Sequence, residues 1–162
     1  VSNGSKHKNH KRLFLAFVKA ANNINSLIKL DLTLSNNEFI NSPYSKITVP
    51  KNLIIVNHGI LEFSKLEKIY QKTEFLIFPS LNESFGLPLI ESINYNCKVL
   101  APNLNYVNEV IVPSIKFDPF SISNLSESII SAVTKKNIKH SKIIVENKID
   151  TFVRYISSNV YK

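Results

Sequence analysis

The sequence predicts an α/β fold, a doubly wound and mostly parallel sheet of about six strands with helices on both faces. Three observations carry this expectation. Short apolar runs of strand length recur along the 162 residues. Helical stripes stand between most of them. The runs are continuously apolar rather than alternating, as suits strands covered on both faces.

In chain order, Val1-Ser2 reads as the stub of a truncated first strand. From Lys8 to Ala21, the residues Leu13, Phe14, Phe17, Val18 and Ala21 fall on one helical stripe. Strands follow at Leu27–Leu34 and Leu53–Val56, separated by a loop-like stretch over 36–51 that Pro43 and Pro50 punctuate. Ser64 with Glu67 three residues on forms a capping-box pattern ahead of Ile69 and Tyr70. A strand at Phe75–Phe78 leads to a helix in which Pro88 can take the first position, where its missing N–H costs nothing. Further strands are expected at Val99–Ala101 and Ile115–Phe117, then helices at Asn124–Val133 and Ile143–Val160. The order β-α-β-β-α-β-α-β-α-β-α-α is Rossmann-like and makes a single domain of 1–162.

Composition narrows the class. No run of about eighteen apolar residues is present to span a membrane. A single cysteine, Cys97, can form no internal disulfide, sits just before an apolar run and is expected to be packed; a reducing, cytoplasmic setting fits it. The net charge of +8 suggests a polyanionic partner: nucleic acid, an anionic membrane surface or a phosphorylated small molecule. Arginine, the usual reader of phosphates and bases, is limited to Arg12 and Arg154, which argues against nucleic acid. His7, His10, His58 and His140 lack metal-ligand spacing, so no metal site is expected. A chain without methionine reads as a piece of a longer protein.

Ligands in doubly wound folds bind at the carboxyl ends of the strands. After the Phe75 strand comes "NESFGLPLIES", Asn82 to Ser92. Gly86 permits a positive φ or a close backbone approach. The amides of Phe85, Gly86 and Leu87 at a helix start make an anion site. Glu83 in the loop and Glu91, expected in the first helical turn, would repel a phosphate. Carboxylates accept hydrogen bonds only, so hydroxyl groups are their natural targets. A ligand with phosphates in the middle and polyols at both ends, a nucleotide-sugar, satisfies every group; solvated surface acids are the other reading. Asn3-Gly4-Ser5 followed by Lys8 adds a flexible loop and a point charge for a diphosphate.

The stretch "PSLNESFGLPLIESINYNCKVLAP" resembles the signature of the GT-B glycosyltransferases of family 4, the glycosyltransferase group 1 domain. Glu83 and Glu91 have the spacing of its E-x7-E motif, with Phe85, Gly86 and Pro88 in register. "KHKNHKRLFLAF" resembles the family's lysine segment and puts the diphosphate lysine on Lys8; "LIIVNHGILEFSKLEKIY" and "VIVPSIKFDP" resemble the following strand, glycine turn and helix and the later D-P turn. The resemblance covers essentially the whole chain and implies the C-terminal, donor-binding half of a GT-B fold, with an N-terminal acceptor domain absent from this chain.

What the resemblance implies is a retaining, metal-independent hexosyltransferase of bacterial polysaccharide biosynthesis, with no cofactor beyond a nucleoside-diphosphate sugar as donor substrate. The acceptor would be a glycan or glycolipid reached through the absent domain, and the protein would be cytoplasmic, with peripheral contact at the anionic inner face of the membrane. Lys8 and Glu83 would be the catalytic pair, Lys8 steadying the leaving diphosphate and Glu83 positioning the sugar through its hydroxyls. Asn3, Gly4, Lys8, His58, Gly59, Ile60, Glu83, Ser84, Phe85, Gly86, Leu87 and Glu91 would line the donor site, with Glu91 on the ribose and the turn from Asn57 to Leu61 beside the base. As an isolated fragment it would turn over little. The family often carries arginine where this chain has Asn3, which removes one of two cations from the leaving diphosphate. Asn96 stands for the glycine that usually ends the helix, a benign change. Two other classes stay open: a non-catalytic nucleotide-sugar-binding module, favoured by Asn3, and a basic nucleic-acid-binding α/β domain, favoured by charge alone.

Overall fold

The computed structural model describes residues 4–46 and 48–146. The expected strand stub at Val1-Ser2 and nearly all of the final helix lie outside these residues. Their elements run α1 (His10–Asn22), β1 (Ile28–Leu32), α2 (Asn36–Ile40), β2 (Leu53–Asn57), α3 (Phe63–Tyr70), β3 (Phe75–Ile77) and α4 (Leu87–Asn94). Then come β4 (Lys98–Pro102), α5 (Asn105–Asn108), β5 (Ile111–Val112), β6 (Ile115–Phe117), α6 (Ile122–Thr134) and β7 (Lys142–Ile143).

All five longer strands pair in parallel. β1 pairs with β2 from Ile28 opposite Leu53, and β3, β4 and β6 follow one another with β4 in the centre. The expected sheet of about six strands is thus divided, among the described residues, into a parallel pair and a parallel triplet. A short antiparallel pairing of β5 with β7 was not foreseen. β7 also occupies the expected start of the last helix at Ile143.

β4 shows why the fold has helices on both faces. Its side chains alternate, and both directions are buried. Leu100 enters one core with Phe14 and Phe17 of α1, Leu30 of β1, Leu53 of β2, Phe117 of β6 and Ile129 of α6. Val99 and Ala101 enter the other with Leu66 and Tyr70 of α3, Leu76 of β3 and Leu89 of α4. Cys97 is packed in that second core, and burial pushes its thiol up in pKa. The predicted stripe of α1 buries Leu13, Phe14, Phe17 and Ala21, and it lies against α6, whose Ser121 caps the first turn by accepting from the Asn124 amide.

Four local expectations are corrected. α1 starts at His10, because Asn9 adopts a left-handed conformation (φ 58) and ends a separate 3-10 turn at Lys6–Lys8; Lys8 therefore sits in a turn, not at the opening of the helix. Ser64 is not a cap: α3 begins at Phe63 behind Glu62, with no side-chain cap. The capping box is instead at Ser35 and Glu38, which make α2 in a stretch expected to be loop. In the same stretch a 3-10 turn, Pro43–Ser45, buries Tyr44 edge-on against Phe14, with ring centroids 5.3 Å apart. Finally, Glu91 is the fifth residue of α4 and so lies beyond its first turn. Asn96 does take the left-handed conformation (φ 66) expected of it. Among the described residues no helix is long and apolar enough to cross a membrane.

Candidate active site

The loop between β3 and α4 is stitched to the Gly4–Asn9 segment by backbone. The Leu81 amide donates to the His7 carbonyl at 2.7 Å, and the Ser80 hydroxyl reaches the same carbonyl at 3.4 Å. Asn9 is buried and anchors the other side of the segment by donating to the Pro119 carbonyl at 3.0 Å. The left-handed Asn9 turns the chain sharply after Lys8, and a side-chain amide tolerates that conformation better than most.

These anchors bring Lys8 and Glu83 together across 75 residues of sequence. The Lys8 ammonium donates to Glu83 Oε1 at 2.5 Å, with the two side chains only 15% and 14% exposed. The Ser80 hydroxyl donates to the same oxygen. Burial by itself would raise the Glu83 carboxyl, but the hydrogen bonds from Lys8 and Ser80 and the Lys8 charge outweigh it and hold the pKa below the ordinary value. The ammonium also lies 5.9 Å from the centre of the Phe78 ring. Tyr106 donates to the Ser80 carbonyl at 2.7 Å and packs edge-on to Phe78. Burial first, and then the Glu83 charge, raise the Tyr106 phenol, so it stays a neutral donor.

Ser84 and Phe85 are exposed, and Gly86 turns the chain into α4 with φ 77. A Cβ at Gly86 would sit 3.0 Å from Leu89 Cδ1, so both the dihedral and the space call for glycine. Among the described residues nothing accepts from the amides of Phe85, Gly86 or Leu87, and Pro88 has no N–H to offer. The start of α4 therefore keeps amides with no acceptor among the described residues, two to four residues after Glu83 in sequence.

Glu91 is placed differently. Its carboxylate accepts from the Tyr70 hydroxyl at 3.3 Å, and Tyr70 stacks on Tyr95. Burial, then the Glu91 charge, raise the Tyr70 phenol well above its ordinary value. The two acids of the E-x7-E spacing thus have separate partners: a lysine and a serine for Glu83, a tyrosine for Glu91. The turn at His58, Gly59 and Ile60 follows β2. His58 is 2.6 Å from Asp31, Gly59 has φ 73 with open space around it, and Ile60 is exposed. Asn57 fixes the start of that turn by bonding both the amide and the carbonyl of Leu34. Gly4 gives its amide to Glu38 at 2.8 Å, joining the Gly4–Asn9 segment to α2. Asn3 lies outside the described residues. Among the described residues no cluster of side chains could hold a metal ion.

Ser80 and Tyr106 were not singled out from sequence. Ser80 could have been, since it stands three residues before Glu83 at the strand end. Tyr106 too stands just after an expected strand, Val99–Ala101, where this fold binds ligands, but only the folded chain brings its ring edge-on to Phe78.

The family model of the glycosyl transferases group 1 matches residues 1–151. Among solved structures, the fold is similar to a UDP-forming α,α-trehalose-phosphate synthase from Burkholderia xenovorans, with a TM-score of 0.64 at 11% identity, over 82% of this chain and 35% of that one. It is likewise similar to a structure described as trehalose-6-phosphate from E. coli bound with UDP-2-fluoro glucose, with a TM-score of 0.61 at 13% identity, over 83% of this chain and 35% of that one. The chain thus spans about a third of the length of these structures (35%). No curated protein matches it in sequence. At such identities the structural likeness is one of fold, and with the family match it bears out the resemblance to GT-B glycosyltransferases.

Proposed function

Because the chain belongs to the group 1 glycosyltransferases, we propose that it is the donor-binding domain of a retaining enzyme that transfers a hexose from a nucleoside-diphosphate sugar to a glycan or glycolipid. The observation that carries the proposal is the part-buried Lys8–Glu83 pair, in the loop that leads to the α4 amides left without an acceptor among the described residues. A diphosphate accepts from an ammonium and from amides, while a sugar donates to a carboxylate, so one ligand can meet all of them.

In this scheme Lys8 and the Gly86 and Leu87 amides carry the negative charge that grows on the diphosphate as the glycosidic bond breaks. Preorganised donors of this kind stabilise a leaving group without requiring a metal, and none is assigned. Glu83 accepts from sugar hydroxyls and orients the ring. Glu91, backed by Tyr70, accepts from the ribose, and the His58–Ile60 turn borders the base. The acceptor belongs to a second domain, and the setting is cytoplasmic, at the inner membrane face when the acceptor is a lipid. The fold of this half supports binding more directly than turnover, so the isolated chain is expected to bind nucleotide and transfer little. A non-catalytic nucleotide-sugar module is the second reading, favoured by Asn3 where related chains often carry arginine.

Calorimetric titration with UDP, GDP, UDP-glucose and GDP-mannose tests the proposal. Saturable binding of one nucleotide series, weakened about tenfold or more by Glu91→Ala, is expected from the loss of charge-assisted hydrogen bonds. No saturable binding, or binding indifferent to Glu91→Ala, would overturn it.

A further inference from the structure

We propose that Asp31 is a positioning residue that selects the base. It holds the His58 ring with its proton on Nε2 and leaves Nδ1 to accept from the ring N–H of a lactam base. Uracil and guanine carry that N–H, whereas cytosine and adenine present an acceptor at the same ring position. The inference rests on the reading of the His58–Ile60 turn as the border of the base, and it names the class of base that this turn accepts.

Asp31 stands on the side of β1 turned away from the α1 core. Leu30 and Leu32 on either side of it enter that core, and side chains alternate along a strand. Its register partner in β2 is Val56, two residues before His58. His58 Nε2 lies 2.6 Å from Asp31 Oδ1, with the two side chains 29% and 25% exposed. A carboxylate only accepts, so the proton of that bond belongs to Nε2. Lys29 reaches the same oxygen at 2.8 Å. Burial by itself would raise the Asp31 carboxyl, but the hydrogen bonds from Lys29 and His58 outweigh it and hold the pKa below the ordinary value.

The backbone under the ring is fixed as well. The His58 amide donates to the Leu32 carbonyl at 2.8 Å, and Asn57 bonds both backbone groups of Leu34. Beyond this clamp the turn is bare: a Cβ at Gly59 would meet nothing within 4 Å, and Ile60 and Phe63 are 81% and 53% exposed. Exposed apolar side chains suit the face of a planar base, while its edge needs a polar atom. His58 supplies the only polar side-chain atoms of the His58–Ile60 turn. Its Nε2 is taken by Asp31, and among the described residues no hydrogen bond engages its Nδ1. In the neutral ring that nitrogen is an acceptor. A base that also presents an acceptor leaves both groups unsatisfied, and such a mismatch is what lets a hydrogen-bonding site discriminate.

The test uses the whole chain and two readouts. Heteronuclear NMR of the imidazole rings without nucleotide, at mildly alkaline pH and with His58 assigned by His58→Gln, should find the His58 proton on Nε2. Asp31→Asn, which removes the obligate acceptor, should mix the two tautomers. Calorimetry compares bases of equal size: UDP should bind about tenfold or more tightly than CDP, or GDP than ADP. In Asp31→Asn that ratio should fall to near unity. The ratio is read on one protein, so a general loosening of the site cancels from it. If Asp31→Asn failed to fold, the wild-type tautomer and the wild-type ratio would still decide the point. A His58 proton on Nδ1, equal binding within both pairs of nucleotides, or a ratio that Asp31→Asn leaves intact overturns the inference while the donor-site reading stands. Absence of any nucleotide binding overturns that reading and this inference with it.

Discussion

Glu83→Gln offers the sharpest test of how the candidate site works. Glu83 holds the Lys8 ammonium at 2.5 Å, with both side chains mostly out of water. At an effective dielectric of about 20, the gross attraction at that distance is about 7 kcal/mol, most of which is offset by desolvation. Exposed pairs are worth less than about 1 kcal/mol, and breaking a fully buried one costs about 3–5 kcal/mol; this pair lies between, so a stability loss of about 1–3 kcal/mol is expected. The sign for nucleotide binding is opposite. A diphosphate must take Lys8 from a carboxylate and then sit near that carboxylate, and glutamine removes both costs. UDP should therefore bind the variant about 1.4 kcal/mol more tightly, or tenfold. The sugar part behaves differently again, because its hydroxyls lose a charged acceptor worth about 1.5–3 kcal/mol. The affinity ratio of UDP-glucose to UDP should fall by tenfold or more. Calorimetry on both ligands reads the two effects, and weaker UDP binding by the variant, or an unchanged sugar increment, would refute the reasoning. The pH dependence has a fixed sign. Since the folded-state pKa of Glu83 is depressed, its contribution is present above the ordinary value of 4.5 and is lost as pH falls through the lower folded value. Wild-type chain should lose its advantage over Glu83→Gln in melting temperature across that acid range.

Four further outcomes follow from packing and backbone geometry. Gly86→Ala places a Cβ 3.0 Å from Leu89 in a left-handed backbone, so a loss of about 1–3 kcal/mol is expected in thermal unfolding, with weaker UDP binding. At Gly59, where the dihedral is similar but the surroundings are open, the same change should cost only about 1 kcal/mol or so in thermal unfolding. Leu100→Ala opens a cavity at a fully buried position of β4, in the core shared with α1 and α6, and chemical denaturation should show a loss of about 2–5 kcal/mol. Ser35→Ala removes the capping box of α2, which should cost about 1 kcal/mol in the same assay; sparing Glu38, it should leave nucleotide binding intact.

The main strands and the stripe of α1 were legible in the sequence because each depends on local pattern: continuous apolar runs such as Leu53–Val56, and apolar spacing such as Leu13, Phe14, Phe17. Misjudged elements depended on which of two similar local signals the chain would use. Ser64 and Glu67 form as good a capping pattern as Ser35 and Glu38, yet only the second pair caps a helix, and it is the one whose acid also receives the Gly4 amide from 34 residues away. Short pairings such as β5 with β7 have no periodicity to read. For the candidate site, the spacing of Glu83 and Glu91 around Gly86 was plain, and the left-handed Gly86 and Asn96 were foreseeable from residue type.

Residue types and their spacing alone determined the doubly wound class and which groups could meet a phosphate or a hydroxyl. Only the tertiary structure decided which of those groups face one another. Glu83 turns to Lys8 and Glu91 to Tyr70 because the β3–α4 loop is stitched to the His7 carbonyl while α4 lies against α3. Arg12 instead bonds Asn9, three residues back along the chain, and lines a cavity beside α2. Side-chain partners separated by 75 residues are set by packing and closure of the fold, and no local pattern encodes them.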